Sequence, residues 1–346
     1  MDLKGLYCHM NKGEMFNPKV TVIIFSYNQV DFIDEAVQSV LDQTYKNWEL
    51  IISDNGSDDG TQEKLKKYKG IDNINLMLYE SNGRITIRYN EAIQNVSGEY
   101  ISVLYGDDYY LPEKIEEQIA CFSNLSDEWG VVHGPGLTLD QATNKKVFCG
   151  CSKAHGENSL KDILLDFYSI GFINPVSPLV RTECYRNYPS YEDLFTEGES
   201  LHLKFALKYN YFFLEKPLVV MREHQTNAGW FGKSNIEILD ACLERLPNFK
   251  EFPQNSYKPL NKLRIRNYAQ GAWENVRLSN SMDSSWARSR LYKSLKLDSL
   301  QILRIKFLLS LFFTFLPNPL LRKINQLINI LLKKKTQPYF DERPIK

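Results

Sequence analysis

Asp107 and Asp108 stand side by side directly after an apolar run, Tyr100 to Leu104, and Gly106. Adjacent carboxylates repel one another unless a cation lies between them and a bound phosphate. At the C-terminal end of a strand they occupy the place where open α/β sheets bind ligands. The competing reading is a solvated turn, because Gly-Asp-Asp is ordinary turn chemistry. A second strand end carries Asp54, within Asp54-Asn-Gly-Ser-Asp-Asp-Gly-Thr61, and a third carries Ser26, Tyr27 and Asn28. For Asp54 the alternative is a helix cap or an Asx turn, with Ser57, Asp58 and Asp59 competing for that role. The chain has no glycine fingerprint for a dinucleotide and no phosphate-binding Gly-Lys-Ser/Thr loop. A nucleotide would therefore be held by scattered carboxylates and amides together with a metal.

Strand ends converge only if the intervening segments carry the chain back. Val20 to Phe25 reads as a buried strand rich in β-branched residues. Phe32, Ile33, Ala36, Val37, Val40 and Leu41 follow at helical spacing. Trp48 to Ser53, Ile74 to Tyr79 and Tyr100 to Leu104 read as further strands, separated by a Lys-rich helix and a helix over Thr86 to Asn95. Pro112 and the acids after it start another helix. This alternation predicts a doubly wound, mostly parallel sheet of the α/β class.

The chain has 346 residues, of which 24% are charged and 43% hydrophobic, and that composition excludes wholesale disorder. The net charge of zero hides an asymmetry. Between Asp298 and Asp341 lie seven bases and no acid, which leaves the rest of the chain at −7. A basic tail on an acidic body predicts an anionic surface as partner at that end only. No nucleic-acid partner is expected. Cys8, Cys121, Cys149, Cys151, Cys184 and Cys242 are spaced for neither a disulfide framework nor a zinc site. The first residues lack the charge-then-apolar order of a signal peptide. Free thiols and a cytoplasmic location are expected.

Val22-Ile-Ile-Phe-Ser-Tyr-Asn28, Gln43-Thr-Tyr45, Glu49 through Thr61, Arg88-Tyr-Asn90 and Gly106-Asp-Asp108 resemble, in order, the motifs of family 2 glycosyltransferases of the GT-A fold. The resemblance, to the bacterial surface-polysaccharide type, implies inverting transfer of a sugar from a nucleoside diphosphate, with Mn²⁺ or Mg²⁺ on the diphosphate. It implies that Ser26, Tyr27 and Asn28 line a nucleoside pocket, that Asp54 accepts from the base edge, and that Arg88 faces the base or diphosphate. A surface salt bridge is the alternative for Arg88. Asp107 and Asp108 match the metal-and-ribose acids, and His224, after Arg222, matches a histidine of the metal shell or diphosphate site. Thr196-Glu-Gly-Glu-Ser resembles the acidic motif whose carboxylate deprotonates the acceptor. Three positions depart from the pattern. Phe25 replaces a proline, Tyr105 replaces the first acid of Asp-x-Asp, and Gly198 stands where the base normally sits. The base would then be Glu197 or Glu199. Thr196 with Glu199 also fits a capping box, which favours Glu197. His202 is expected to pack or to face the surface, with no part in the chemistry.

Trp129 to Leu139 and Lys146 to Cys149 are expected as strands of an added sheet, and Tyr211 to His224 as one closing strand. The domain layout expected is 1–230 catalytic, with a nucleotide-sugar half at 18–112 and an acceptor half at 113–230. A helical extension follows at 231–300, and basic amphipathic helices at 301–346. Their uninterrupted apolar runs are too short to span a bilayer, which needs about 20 residues. They suit the anionic inner face of the plasma membrane, with packing on the catalytic domain as the alternative. The expected substrates are a UDP-type sugar donor and a glycan or lipid-linked acceptor. A nucleotidyltransferase and a non-catalytic sugar-nucleotide scaffold are the alternatives.

Overall fold

The computed structural model describes residues 16–167, 169–224, 233–278 and 283–331. Its strands are β1 Val20–Ser26, β2 Trp48–Asp54, β3 Ile74–Leu78, β4 Tyr100–Tyr105, β5 Tyr109–Tyr110, β6 Trp129–His133, β7 Gly136–Asp140, β8 Lys145–Cys149, β9 Leu179–Arg181, β10 Asn210–Phe213 and β11 Val219–Glu223. Its helices are α1 Ile33–Leu41, α2 Thr61–Leu65, α3 Ile85–Gln94, α4 Lys114–Phe122, α5 Ser159–Asp166, α6 Thr182–Asn187, α7 Leu201–Phe205, α8 Lys233–Arg245, α9 Tyr257–Leu278, α10 Ser284–Leu297, α11 Ile305–Phe313 and α12 Asn318–Leu331.

The main sheet runs β10-β6-β9-β4-β1-β2-β3. Every pairing in it is parallel except those of β9 with β4 and β6. The expected doubly wound α/β sheet is thus present. β1, fully buried, lies between β4 and β2. Its residues alternate between two cores, as the two-residue period of a strand requires. Ile23 and Phe25 join Ile101, Val103 and Val180 on one face, while Val22 and Ile24 join Leu50, Ile52 and Leu104 on the other. Parallel pairing brings the C-terminal ends of β1, β2 and β4 to the same edge, where Ser26 pairs with Asp54 and Phe25 with Tyr105.

Two expected strands divide. Trp129 to Leu139 breaks at Gly134-Pro135 into β6 in the main sheet and β7 in a second sheet of order β5-β11-β7-β8. Tyr211 to His224 breaks at Lys216-Pro217 into β10 and β11 in the same way. A proline cannot donate to a ladder, so the chain changes sheets there. The second sheet thereby delivers Arg222 and His224 to the end of β4.

The helical extension shares the catalytic core. Leu243, Leu246, Leu260 and Leu263 pack with Tyr185, Leu203 and Phe205, whereas Ala272, Val276, Leu291, Phe307 and Phe313 form a separate cluster. Among the described residues no helix is long and apolar enough to cross a membrane. Lys333, Lys334 and Lys335, three of the tail's seven bases, lie outside the described residues. The five described cysteines are free thiols, and Cys8 lies outside.

Candidate active site

The loops after β1 and β2 are stitched together. The Asn28 N–H donates to Ser57 Oγ (2.8 Å), and the Asp58 N–H donates to Asn28 Oδ1 (3.0 Å). Asn28 sits at φ +54°, a left-handed conformation that asparagine tolerates better than most side chains. Tyr27 and Asn28 are exposed at the rim. Asp54 is fully buried and accepts from Ser26 Oγ (2.8 Å), the Ser57 N–H (2.9 Å), Ser57 Oγ (2.6 Å) and Gln62 Nε2 (2.8 Å). These four bonds saturate its carboxylate. Asp54 and Ser26 thus hold the turn after β2 from inside.

Arg88 is also committed within the fold. Its Nε donates to Asn55 Oδ1 (3.1 Å), its Nη1 to Glu91 Oε2 (3.2 Å), and its guanidinium stacks 3.4 Å from the centre of the Tyr79 ring. Asn55 Nδ2 donates in turn to Asn82 Oδ1 and the Gly83 carbonyl. Arg88 and Asn55 thus clamp the loop that leads into α3.

At the end of β4, Asp107 and Asp108 take different roles. Asp107 Oδ2 lies 3.2 Å from His224 Nε2, and the His224 ring packs on Phe32. Asp108 is buried and its Oδ1 accepts from the Arg222 N–H (2.9 Å). Burial, and then the neighbouring Asp107 charge, push the Asp108 carboxyl well above the usual carboxylate range. Arg222 reaches three elements, donating to the Asp107 carbonyl (3.0 Å), Gln141 Oε1 (2.6 Å) and Glu35 Oε2 (2.5 Å). Sequence reasoning missed this brace, because Glu35, Gln141 and Arg222 are remote in the chain. Among the described residues no group of three or more His, Cys, Asp or Glu side chains is arranged to hold a metal. The Asp107–His224 pair offers one carboxylate and one imidazole. That suits a divalent cation whose remaining ligands are water and substrate phosphate. Asp108, the third expected ligand, has its Oδ1 engaged by the Arg222 N–H.

The acidic motif lies across β4. Its loop docks on the start of α3, where the Ile85 N–H donates to the Phe195 carbonyl (2.7 Å). Glu197 is buried and 2.9 Å from Lys204 Nζ, and it accepts from the Tyr191 N–H (3.0 Å). Burial pushes the Glu197 carboxyl up and the Lys204 amine down, against the attraction between them. No helix-capping side-chain bond forms at the turn Gly198–Ser200, so the expected capping box is absent. Gly198, at φ +51°, swings the chain so that Glu199 enters a pocket lined by Tyr89, Tyr105, Pro175, Tyr185 and His202. There burial pushes the Glu199 carboxyl up to about 8. Glu197 is thus held in an ion pair, whereas Glu199 faces the pocket. His202 packs on Phe205 and Tyr211, as expected.

Glu197→Ala is expected to destabilise the fold by about 3–5 kcal/mol by leaving Lys204 as an unpaired buried charge. Glu197→Leu with Lys204→Met should recover most of that loss. Urea unfolding of the three proteins checks both, and equal stability of Glu197→Ala and wild type would refute the ion-pair role.

Residues 21–169 match the family described as Glycosyl transferase family 2. An uncharacterized glycosyltransferase of Rickettsia typhi is 30% identical over 232 residues, covering 66% of this chain and 72% of the relative. This chain belongs to glycosyltransferase family 2. The putative teichuronic acid biosynthesis glycosyltransferase TuaG of Bacillus subtilis is 39% identical over 105 residues, 30% of this chain and 42% of TuaG. The putative glycosyltransferase EpsE of the same species is 39% identical over 134 residues, 38% of this chain and 46% of EpsE. The chain thus spans less than half of each Bacillus protein. The fold matches S. aureus TarS 1–349, solved with UDP-GlcNAc, at a TM-score of 0.65 and 15% identity over 92% of this chain and 93% of that one. The architecture is accordingly GT-A. Within the family, the departures at Phe25, Tyr105 and Gly198 fall close together: Phe25 stacks 4.1 Å from Tyr89, and Tyr89 and Tyr105 line the Glu199 pocket that Gly198 opens.

Proposed function

We propose that the protein transfers a sugar, with inversion, from a nucleoside-diphosphate donor of UDP type to a glycan or lipid-linked oligosaccharide. The setting is surface polysaccharide synthesis on the cytoplasmic face of the plasma membrane. The carrying observation is the placement of Tyr105, which lines the pocket of Glu199 and lies two residues before Asp107. A prospective base and a prospective diphosphate site therefore flank one strand end. A carboxyl with its pKa raised toward neutrality is matched to proton abstraction. Glu199 takes the acceptor hydroxyl proton as that oxygen bonds to the anomeric carbon, and the bond from that carbon to the diphosphate breaks. Asp107 and His224 would hold Mn²⁺ or Mg²⁺, which neutralises charge on the leaving diphosphate. Tyr27 and Asn28, exposed at the rim, would meet the nucleoside. S. aureus TarS 1–349, similar in fold, is solved with UDP and with UDP-GlcNAc, which supports the choice of donor.

The test is Mn²⁺-dependent turnover of UDP-GlcNAc and other UDP-sugars. Release of UDP is expected. Pyrophosphate release would mark a nucleotidyltransferase, and binding without turnover a scaffold.

A further inference from the structure

The end of the helical extension carries its apolar side chains outward. Among the described residues, ten of the nineteen exposed large apolar side chains fall between Leu300 and Leu327. On α11, Ile305, Leu308, Leu309 and Phe312 follow i, i+3, i+4, i+7 spacing and so form one stripe, all of it exposed. Ile305 is 77% exposed. Ser310 and Thr314 are meanwhile buried, at 1% and 3%, on the side where Phe307 and Phe313 join Trp273 in the extension's own core. Placing hydroxyls inside and aliphatic and aromatic groups outside inverts the pattern of a helix packed for water. An outward stripe of this kind is favourable only against an apolar medium.

The charges say which medium. Arg304, Lys306, Arg322 and Lys323 are exposed around the stripe, and no acid occurs from Ser299 to Leu331. On α12 the exposed Leu320, Lys323 and Leu327 share one face by their spacing. A second copy of this chain would set bases against bases. An anionic lipid leaflet supplies both the apolar medium and the opposite charge. The nine residues of α11 are too few to span a bilayer, which takes about 20.

We infer that the surface from Leu300 to Leu327 inserts into one anionic leaflet, with the α11 stripe at the acyl boundary and the four bases among the headgroups. The inference deepens the membrane setting proposed above and rests on it only for its biological purpose. Its test does not pass through catalysis.

The full chain is floated with vesicles of phosphatidylglycerol and phosphatidylcholine, and with phosphatidylcholine alone. Light scattering reports the lipid-free oligomeric state. Flotation with the anionic vesicles is expected, weakening as salt rises. Leu308→Glu with Phe312→Glu should lower vesicle affinity at least ~100-fold by removing two inserted side chains. Arg322→Gln with Lys323→Gln should lower it by about 30-fold, at roughly fivefold per base. Circular dichroism should show all the variants folded, since every substituted side chain is exposed. Flotation of Leu308→Glu/Phe312→Glu like wild type would overturn the inference. So would a lipid-free dimer split by that variant, with no vesicle binding by wild type. If flotation follows the expected order but UDP-sugars are never turned over, the membrane surface stands and the catalytic reading fails.

Discussion

Glu199→Gln is expected to slow sugar transfer by about 10²–10⁴-fold, the usual worth of a positioned general base, while donor affinity stays the same. Glutamine keeps the shape of the side chain in the pocket of Tyr89, Tyr105 and Tyr185 but cannot take a proton. The pH profile adds a second signature. With the carboxyl at about 8, the wild-type rate should climb as pH rises through that value, and the variant should lose the climb. Stability carries the opposite sign. The native state holds a proton that the unfolded carboxyl has already released above its ordinary 4.5, so this group's stabilisation falls as pH rises from there toward about 8. Glu199→Gln should flatten that part of the stability curve. The measurements are transfer rate at saturating donor and chemical unfolding, each across pH, beside calorimetric donor affinity. A near-wild-type rate for Glu199→Gln would remove it as the base. If Lys204→Met/Glu197→Leu were then dead though folded, the role would return to Glu197.

Asp107→Ala should abolish the Mn²⁺-dependent part of donor binding, lowering metal affinity by at least about 100-fold while the fold is kept. A ligand at a hundred times its dissociation constant stabilises the native state by about 2.7 kcal/mol, so a thermal shift with UDP-sugar and Mn²⁺ is large enough to watch disappear. Asp108→Ala should behave differently. It removes the acceptor of the Arg222 N–H from a buried brace, and its first effect should be a lower melting temperature without any ligand. An unchanged Mn²⁺ response in Asp107→Ala, or loss of that response in Asp108→Ala with its stability intact, would exchange the roles given to the two acids.

Much of the scaffold was legible before any coordinates. β1, β2, β3 and β4 were marked by apolar runs and the helices between them by spacing, because burial against a sheet imposes those periods on the chain itself. α8, α9 and α10 fall within the helical extension expected at 231–300. The convergence of Asp54, Asp107 and the Ser26–Asn28 turn on one edge followed from alternation alone, since parallel strands joined by helices present the same end. What each polar group does there was not legible. The bonds of Asp54 with Ser57 and Gln62, and of Asp108 with Arg222 from the second sheet, join groups that the order of the chain does not pair. Glu197 and Glu199 are two residues apart and alike in kind. Only packing pairs one with Lys204 and leaves the other facing a pocket. Lys114 is the sharpest case. Its position at the start of a charged helix suggests solvent, yet it is fully buried, donating to Ser102 Oγ (2.7 Å) and Gln118 Oε1 (2.8 Å), and burial holds its amine well below the usual range. Sequence alone determined which segments are apolar enough to form the sheet and where its polar edge lies, because hydrophobic periodicity is a local property. Tertiary structure decided which carboxylate is saturated, which is ion-paired and which is poised, because a hydrogen-bond partner is set by distance across the fold and not along the chain.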